Sequence, residues 1–501
     1  MTASPVTSGG LLRTHDPSAA LRVVRSALST QGTVTATPDF RSWFAERLAV
    51  ARTTTVTGID FADLVGWRFA DDTGNLVHDS GKFFAVEGLS VAAAHGPVAS
   101  WSQPIINQPE TGVLGILVKE FDGVLHCLMQ AKMEPGNCNV LQLSPTVQAT
   151  QSNYTAVHRG RPVPYLDMFL SAPPQSVLAD VLQSEQGSWF YRKRNRNIIV
   201  ETTADVEVLP GFCWLSLGQV HALLSEDHLV NMNTRTVLSC LSFSGPNLVG
   251  ELGCGASGFR AALVRSIGAE WGALHTDGEI LSWITDLRSR REVEATPIPL
   301  GEVRDGWRRQ PDRITHDTGG FFDIRAVAVG GGGREIDSWT QPIIAPHGLG
   351  VVAFLVARFS GVLHILVGAQ VEPGHLDFVE LAPTVQCTPD SYEHLPAEAR
   401  PPFLDDVLAA PADRIRFDTE LSEEGGRFFH ARNRYVIVEV DPVVANGAGP
   451  ARHRWMTMAQ IVGLLRHSHY VNVQARSLVA CLHSLVARLD DDSPVAPGGG
   501  A

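Results

Sequence analysis

The sequence predicts an α+β protein made by tandem duplication, in which each copy holds an antiparallel-rich mixed sheet flanked by helices. The stretch "CLMQAKMEPGN" from Cys127 returns as "ILVGAQVEPGH" from Ile365, and "WSQPII" from Trp101 returns as "WTQPII" from Trp339. Both pairs lie 238 residues apart. Within each copy, stretches with strand periodicity and helix periodicity follow one another. A repeat of this length indicates a duplicated domain rather than a solenoid of short units.

The repeat also sets the predicted domain boundaries. Residues 39–241 form the first copy and residues 275–485 the second. Residues 242–274, rich in Gly and Ser at their start, are predicted to be a linker. Residues 1–38 are predicted to be a flexible N-terminal segment and residues 486–501 a disordered tail, because these ends are rich in small and polar residues.

The elements of the first copy follow from local patterns. Asp122-Gly123 between two apolar runs predicts a tight hairpin over residues 112–133. Residues 141–150 and 188–201 are predicted to be further strands. Helical spacing over residues 165–182, 215–226 and 234–241 predicts helices. The second copy repeats the helical pattern over residues 401–411 and 456–467.

Composition excludes several classes of protein. The net charge of −13 disfavours binding to nucleic acid or to an anionic membrane, since such proteins show a basic excess or stripe. No apolar run reaches the roughly 18–20 residues of a membrane helix. The N-terminal residues lack the pattern of a secretory signal, and the seven cysteines include no CxxC pair. We therefore expect a cytoplasmic protein with reduced thiols.

Two neighbouring strands carry polar stripes. Strand alternation places His126, Gln130 and Lys132 on one face of the first strand, and Gln142 and Gln148 on one face of the next. These stripes predict either the wall of a ligand site or a solvated sheet face. Both copies carry the two stripes, and a Glu-Pro-Gly turn follows the first stripe in each copy. This recurrence makes the ligand site and the solvated face about equally favoured.

A basic run, "RKRNRN" over residues 192–197, is the clearest candidate for binding an anion. In an extended strand Arg192, Arg194 and Arg196 would share a face at a spacing of about 7 Å, which suits a diphosphate. A solvated edge strand is the alternative. The second copy keeps Arg432, Asn433 and Arg434 but loses two of the basic residues. Trp101, Trp189 and Tyr191 are candidates to clasp a base or sugar, although such side chains are more often partly buried core.

Two motifs of other site types are incomplete. "GCGASG" over residues 253–258 matches a dinucleotide-binding pattern but follows no clear βαβ unit. "ELSEEGG" over residues 420–426 resembles the metal-binding helix of a Nudix hydrolase, yet it lacks several of the expected residues. A Mg²⁺ site needs clustered oxygen ligands. The sequence therefore predicts neither a nicotinamide cofactor nor a metal.

Five long motifs together resemble the NDP-hexose 2,3-dehydratases of bacterial deoxysugar biosynthesis. They are "SWSQPII", "LMQAKMEPGN", "LQLSPTVQAT", "SEQGSWFYRKRNRN" and "VELAPTVQCTPDSY". The resemblance covers roughly residues 40–240 and 275–485. It implies a duplicated Nudix-like fold without the metal-binding helix, a homodimer, and two nucleotide-sugar pockets per subunit of which one is catalytic.

The resemblance also implies the reaction. The substrate would be dTDP-4-keto-6-deoxy-glucose, a branch point towards many antibiotic sugars, and a 3-ketoreductase would follow in the same pathway. The C4 ketone acidifies the C3 hydrogen, a base removes it, and the C2 hydroxyl leaves with the help of a proton donor. The product is a 3,4-diketo-2,6-dideoxy sugar nucleotide. No hydride moves, so no cofactor is implied.

Roles are assigned on side-chain type and nearness along these motifs. Glu134 is the expected base, His126 or Tyr154 the proton donor, and Lys132 the group that polarises the ketone. The expected substrate-binding residues are Trp101, Gln130, Gln148, Trp189, Tyr191, Arg192, Arg194, Asn195 and Arg196. The corresponding residues of the second pocket are Trp339, Gln386, Tyr392, Arg432, Asn433 and Arg434.

Differences between the copies favour the first as the working site. Gln370 stands at the position of Lys132, Gly368 at that of Gln130, and His430 at that of Arg192. However, Glu372 and Tyr392 persist, so a second active pocket stays open, and the Glu-Pro-Gly turn could be kept for backbone shape alone. The alternative function is a non-catalytic nucleotide-sugar carrier that delivers intermediates to a partner ketoreductase. A metal-dependent pyrophosphohydrolase is a third, weaker candidate.

Overall fold

The chain is α+β, with antiparallel-rich sheets and two repeated halves, as predicted. The computed structural model describes residues 17–94, 98–150, 162–243, 252, 257–290, 293–331, 338–392, 399–442 and 452–487. These residues form two seven-stranded sheets and two smaller sheets, with helices packed against the larger ones. Within the described ranges, no helix is long and apolar enough to cross a bilayer.

Strands predominate in the described part of the first repeat. The strands are β1 Thr55–Ile59, β2 Trp67–Phe69, β3 Leu76–His78, β4 Ala85–Ala93, β5 Ser100–Asn107, β6 Gly112–Phe121, β7 Val124–Met133, β8 Leu141–Ser144, β9 Val147–Ala149, β10 Val177–Ser184, β11 Phe190–Tyr191, β12 Arg194–Glu201 and β13 Phe212–Ser216. The helices are α1 Pro17–Leu28, α2 Thr37–Ala51, α3 Asp167–Leu170, α4 Leu217–Leu223 and α5 Met232–Leu238.

The second repeat has matching elements. The strands are β14 Val293–Ile298, β15 Trp307–Arg309, β16 Arg313–His316, β17 Phe322–Gly330, β18 Ser338–Pro346, β19 Gly350–Phe359, β20 Val362–Val371, β21 Val379–Ala382, β22 Val385–Cys387, β23 Ile415–Ser422, β24 Arg432–Glu439 and β25 His453–Met456. The helices are α6 Phe259–Ile267, α7 Asp277–Ser289, α8 Leu404–Leu408, α9 Met458–Leu465 and α10 Val473–Leu485.

The large sheet of each repeat opens where its central hairpin separates. In the first repeat the predicted hairpin is confirmed, and Asp122 and Gly123 have φ of 49° and 80°, as a tight two-residue turn requires. Strands β6 and β7 stay paired only as far as Leu117 and Leu128. Beyond that point β9 pairs with β6 and β8 pairs with β7. The Thr146 hydroxyl bonds both separated strands, at the Leu117 N–H and the Leu128 carbonyl. The end of β7 and the β8–β9 segment therefore meet at this opening.

The repeats exchange their first strands. Strand β1 of the first repeat pairs with β17 of the second, and β14 of the second repeat pairs with β4 of the first. Each smaller sheet is therefore completed by the other half of the chain. The predicted boundaries mark sequence repeats, but the two repeats do not pack as separate bodies.

Two segments predicted to be flexible or linking contain core helices. Helix α1 lies in the predicted flexible N-terminal segment, and its Val24 and Ala27 are buried. Helix α6 lies in the predicted linker and is buried along most of its length. These two predictions are wrong for residues 17–28 and 259–267, because both helices place apolar side chains in the main core. The tail from residue 488 onward lies outside the described residues.

Two local predictions are also corrected. The helical spacing over residues 165–182 forms only the short helix α3, and strand β10 begins at Val177, paired with β12. Pro173 and Pro174 end the helical pattern between them. The single strand predicted over residues 188–201 is broken at Arg192, which has a φ of 51°. Its N–H donates to the Gly374 carbonyl of the other repeat instead of joining a ladder.

The Glu-Pro-Gly turn of each repeat packs against a loop of the other repeat. The Gly136 N–H donates to the Gly425 carbonyl at 2.7 Å, and the Gly374 N–H donates to the Gly187 carbonyl at 2.8 Å. A Cβ at Gly136 would lie 1.8 Å from the Phe428 carbonyl oxygen. No L side chain fits at that distance, so glycine is needed here for close backbone approach.

Gly136→Ala is expected to lower the free energy of unfolding by about 1–3 kcal/mol, the usual range for overpacking a tight contact. Urea unfolding measures the change. Gly58→Ala is the matched control, because a Cβ at Gly58 meets nothing within 4 Å. Equal unfolding midpoints for the two variants would contradict the close approach of the repeats at this turn.

Candidate active site

A hydrogen-bonded relay fixes the Glu134 carboxylate at the opening of the first large sheet. Glu134 follows directly after β7 and is 7% exposed. Its Oε1 accepts a hydrogen bond from Gln148 Nε2 at 2.7 Å, and Gln148 Oε1 accepts one from Asn231 Nδ2 at 3.2 Å. Asn231 caps helix α5, since its Oδ1 accepts from the Thr234 N–H at 2.8 Å. These amide hydrogen bonds fix the orientation of the Glu134 carboxylate.

The second repeat contains the same relay. Glu372 Oε1 accepts from Gln386 Nε2 at 2.8 Å, and Gln386 Oε1 accepts from Asn472 Nδ2 at 2.8 Å. Asn472 caps helix α10 in the same manner as Asn231 caps α5. We call the surroundings of Glu134 the first site and the surroundings of Glu372 the second site. The relay alone does not distinguish them.

The loop that lies over each site comes from the opposite repeat. Loop 424–427 of the second repeat covers the first site, and a Cβ at Gly426 would lie 3.5 Å from Glu134 Oε1 and 2.4 Å from Glu424 Oε1. Loop 186–189 of the first repeat covers the second site, where the Ser188 N–H donates to Glu372 Oε2 at 3.1 Å. The sites are therefore composite, each with walls from both repeats.

The two covering loops differ in charge. The first site receives Glu424 and Arg427, whereas the equivalent positions of the other loop are Gln186 and Trp189. The Gln186 amide turns away to donate to Glu423 Oε2 at 2.7 Å. Only the first site therefore has a second carboxylate and a guanidinium at these loop positions.

Electrostatic conditions at the first site are unusual. Burial raises the pKa of the Glu424 carboxyl to about 7, and the neighbouring Glu134 carboxylate adds to the effect. Burial lowers the pKa of the Lys193 ammonium to about 8, although Glu185 opposes the shift. Lys193 Nζ donates to the Glu110 carbonyl beside the site. Groups with pKa values near neutrality are suited to proton transfer.

Lys132 lies on the wall of the first site. Its Nζ donates to the Gln148 carbonyl at 3.1 Å, so the ammonium stands beside the residue that holds Glu134. Gln130 is half-buried on the same strand, opposite Ser144. The polar residues of these strands are buried or half-buried. The solvated-face alternative is therefore wrong.

The predicted aromatic residues of the first repeat lie nearer the second site than the first. Trp101 and Tyr191 pack in one apolar cluster with Val371 and Phe378, which flank Glu372. Trp189 belongs to the covering loop of the second site, and its ring centroid is 4.5 Å from that of Phe428. Grouping by repeat was wrong for these three residues, because the covering loops are exchanged. Trp339 correspondingly packs with Met133 near Glu134, together with Phe429.

The basic run does not form one row. Arg192 lies outside the strand, stacked over the Tyr191 ring at 5.0 Å, so the predicted alignment of three arginines is wrong. Arg196 makes a two-pronged pair with Asp180 at 2.8 and 2.7 Å. Arg194 is half-buried at the start of β12. Asn195 donates to Glu185 at 2.6 Å and accepts from the Gly112 N–H.

The residues predicted for the second pocket are likewise divided. Gln386 is part of the second relay, as described above. Arg434 repeats the arginine–aspartate pair with Asp418, and Asn433 donates to Glu423 at 2.6 Å. Arg432 is exposed beside Glu420, and Tyr392 is half-buried in a short 3₁₀ turn.

His126, one of the two predicted proton donors, does not lie at the first site. His126 is completely buried, with ring nitrogens 2.9 Å from the Val124 carbonyl and 3.0 Å from the Thr33 hydroxyl. It lies six residues before Lys132 on β7, roughly 20 Å away along a strand. This prediction is therefore wrong, because His126 fastens the segment after α1 to the hairpin. Tyr154 lies outside the described residues.

Sequence reasoning missed Glu424, Arg427 and Lys193. The sequence places Glu424 only in the incomplete metal-binding motif over residues 420–426. A signal was present, because these three residues occupy positions where the copies differ, facing Gln186, Trp189 and Ala431 in the alignment. Within the described residues, no group of three His, Cys, Asp or Glu side chains is arranged to hold a metal ion.

Comparison with known proteins gives one family. The family described as NDP-hexose 2,3-dehydratase matches residues 37–241 and 277–482. A protein of Saccharopolyspora spinosa, named dTDP-4-dehydro-6-deoxy-alpha-D-glucopyranose 2,3-dehydratase, is 52% identical over 93% of this chain and 95% of its own. Proteins of the same name from Amycolatopsis orientalis and Streptomyces violaceoruber are 50% and 48% identical, over 96% and 90% of this chain and 95% and 98% of their own. The chain belongs to the NDP-hexose 2,3-dehydratase family.

Proposed function

We propose that this chain is a hydro-lyase that removes water across C2 and C3 of dTDP-4-dehydro-6-deoxy-D-glucose, the 4-keto sugar nucleotide. The product is a 3,4-diketo-2,6-dideoxy sugar nucleotide. The observation that carries the proposal is the carboxylate of Glu134, fixed by the side chain of Gln148, a residue whose backbone carbonyl accepts from Lys132, in a member of this family.

The first site supplies a base and a cation for enolisation. Glu134 takes the C3 proton, which the adjacent ketone makes acidic, and the Gln148 amide fixes the position of the carboxylate that accepts it. Charge then develops on the C4 oxygen. The Lys132 ammonium stabilises that oxyanion, an effect that is strong in a site shielded from water. The negative charge collapses as the C2 hydroxyl leaves.

The first site is the working one in this proposal. Its support is the set of differences around the shared relay, namely Lys132 against Gln370 in the wall and Glu424 against Gln186 in the covering loop. The second site keeps Glu372, but the Ser188 N–H also donates to that carboxylate, whose exposure is only 2%. This second donor occupies the Glu372 oxygen that the relay does not bind, so less of the carboxylate is available to a substrate.

Further aspects of the proposal rest on the family resemblance. We assign each repeat a Nudix-like fold, supported by the mixed sheet whose central hairpin separates around the site. The sequence repeats extend over residues 39–241 and 275–485, with helices α1 and α6 packed on the core ahead of them, and the working unit is a cytoplasmic homodimer. Arg194 and Asn195 contact the substrate. A 3-ketoreductase consumes the diketone, which is a reactive product.

A direct test incubates the purified chain with dTDP-4-dehydro-6-deoxy-D-glucose and 1,2-diaminobenzene. A vicinal diketone condenses with this diamine to a quinoxaline, which mass spectrometry detects without a ketoreductase. We expect many product molecules per chain. Product limited to one equivalent would favour the carrier function instead, and unchanged substrate would refute the dehydratase.

A further inference from the structure

We propose that Glu424, which the second repeat contributes to the first site, is the acid that protonates the departing C2 hydroxyl. This assignment rests on the proposed function and adds a catalytic residue to it. Hydroxide is a poor leaving group, so elimination needs a donor close to C2. Of the two donors predicted from sequence, His126 is buried away from the site, roughly 20 Å from Lys132 along β7.

The position of Glu424 supports this role. Its Oε1 accepts from the Gly426 N–H at 3.0 Å, which fixes the carboxyl. Its Oε2 is buried and has no hydrogen-bond partner among the described residues, although the side chain as a whole is half-buried. A buried oxygen without a partner is costly. Such an atom is explained by a ligand that completes the site.

Gly426 leaves the space between the two carboxylates open. An added Cβ at this residue would contact the carboxylate oxygens of both Glu134 and Glu424. Ser188 stands at the equivalent place over the second site, and Gln186 stands in place of Glu424. The arrangement of two facing carboxyl groups is therefore specific to the first site.

The surroundings of Glu424 raise its pKa to about 7, so a large fraction of this carboxyl group is protonated at neutral pH. The charged groups facing it are Glu134 after β7, Glu185 and Lys193 on either side of β11, and Arg427 on its own loop. Burial and the two carboxylates raise the pKa of Glu424, and the guanidinium of Arg427 only partly offsets them. Two carboxyl groups with separated protonation states supply an acid and a base together.

The bonds and protons balance without a co-reactant. Glu134 takes the C3 proton, and the electron pair of that bond forms the enolate. As the C4 carbonyl re-forms, the pair moves to make the C2–C3 double bond, the C2–O bond breaks, and the oxygen takes the Glu424 proton to leave as water. In the following tautomerisation the Glu424 carboxylate accepts the enol proton and Glu134 returns its proton to C2. Both residues regain their starting states.

The test measures how fast the Glu424→Gln variant turns over two different substrates. The first is the natural 2-hydroxy sugar nucleotide, and the second is its 2-deoxy-2-fluoro analogue, whose fluoride leaves without needing a proton. We expect turnover of the first to fall by about 10²–10⁴-fold, the usual contribution of a general acid. Fluoride release should stay within about threefold of the wild type, and exchange of the C3 hydrogen in D₂O should continue. This exchange also shows that the variant is folded.

Glu423→Gln is the matched control, since Glu423 is the adjacent buried carboxylate on the same segment but bonds Asn433 and Tyr435. We expect it to turn over both substrates at close to the wild-type rate. The assignment is overturned if Glu424→Gln lowers turnover of both substrates by the same factor while exchange of the C3 hydrogen continues. It is also overturned if the variant dehydrates the natural substrate at the wild-type rate. Wild-type enzyme that converts neither substrate would instead refute the proposed dehydratase itself.

A pH profile of the unmodified enzyme gives a second test that does not depend on a variant. The acid must carry its proton, so kcat/KM for the natural substrate should fall about tenfold per pH unit above pH 7, where Glu424 ionises. The fluoro analogue should lack this fall. If kcat/KM fell above pH 7 in the same way for both substrates, the role of Glu424 would be contradicted.

Discussion

Glu134→Gln is expected to abolish dehydration, with a fall in kcat of about 10³-fold, within the range for loss of a general base. The amide keeps the size of the side chain but cannot accept the C3 proton. Exchange of the C3 hydrogen with D₂O should disappear together with product. Affinity for dTDP should stay close to that of the wild type, because the substitution changes the reacting end of the site.

Glu372→Gln is the matched control for this prediction. It makes the same change in the same relay of the second repeat, where Gln386 and Asn472 replace Gln148 and Asn231. We expect its kcat to remain within about threefold of the wild type. If instead Glu372→Gln is inactive and Glu134→Gln is active, the chemistry belongs to the second site. Equal partial losses would mean that both sites work.

The local features of the fold could be read from the sequence because they depend on short stretches. The Asp122-Gly123 hairpin and helix α4 formed where the pattern indicated. The helix predicted over residues 165–182 did not form along its whole length. The apolar spacing there suits a helix as well as strand β10, and the pairing of β10 with β12 favours the strand. Helices α1 and α6 were not predicted from the sequence, because their burial depends on contacts with the rest of the core.

The candidate site was only half predictable for a similar reason. Glu134, Lys132 and Gln148 lie close together along one hairpin and the strand after it, so a short-range argument reached them. The covering loop arrives from more than 280 residues further along the chain, as the Gly136–Gly425 hydrogen bond shows. No short-range pattern in the sequence indicates that each site is covered by a loop from the opposite repeat. The positions at which the copies differ were a usable signal, but their meaning depended on knowing which loop faces which carboxylate.

Lys132→Ala is expected to reduce kcat by about 10²–10³-fold, the usual effect of removing one group that stabilises a developing oxyanion. The lost charge acts on the enolate at the C4 oxygen, so exchange of the C3 hydrogen should slow by the same factor as dehydration. Loss of the acid Glu424 should slow dehydration alone. Comparing exchange with product formation therefore separates the two roles.

The control for Lys132 is Gln370→Ala, the equivalent change on strand β20 of the second repeat, which should leave turnover close to normal. Titration with dTDP should give similar affinities for both variants, because the Lys132 ammonium bonds the carbonyl of Gln148, the residue that holds the reacting carboxylate. A large loss of dTDP affinity in Lys132→Ala, with kcat unchanged, would make Lys132 a phosphate ligand instead. Continued C3 exchange at the wild-type rate would remove it from enolisation, and Lys193, whose pKa burial lowers to about 8, would then be the next cation to test.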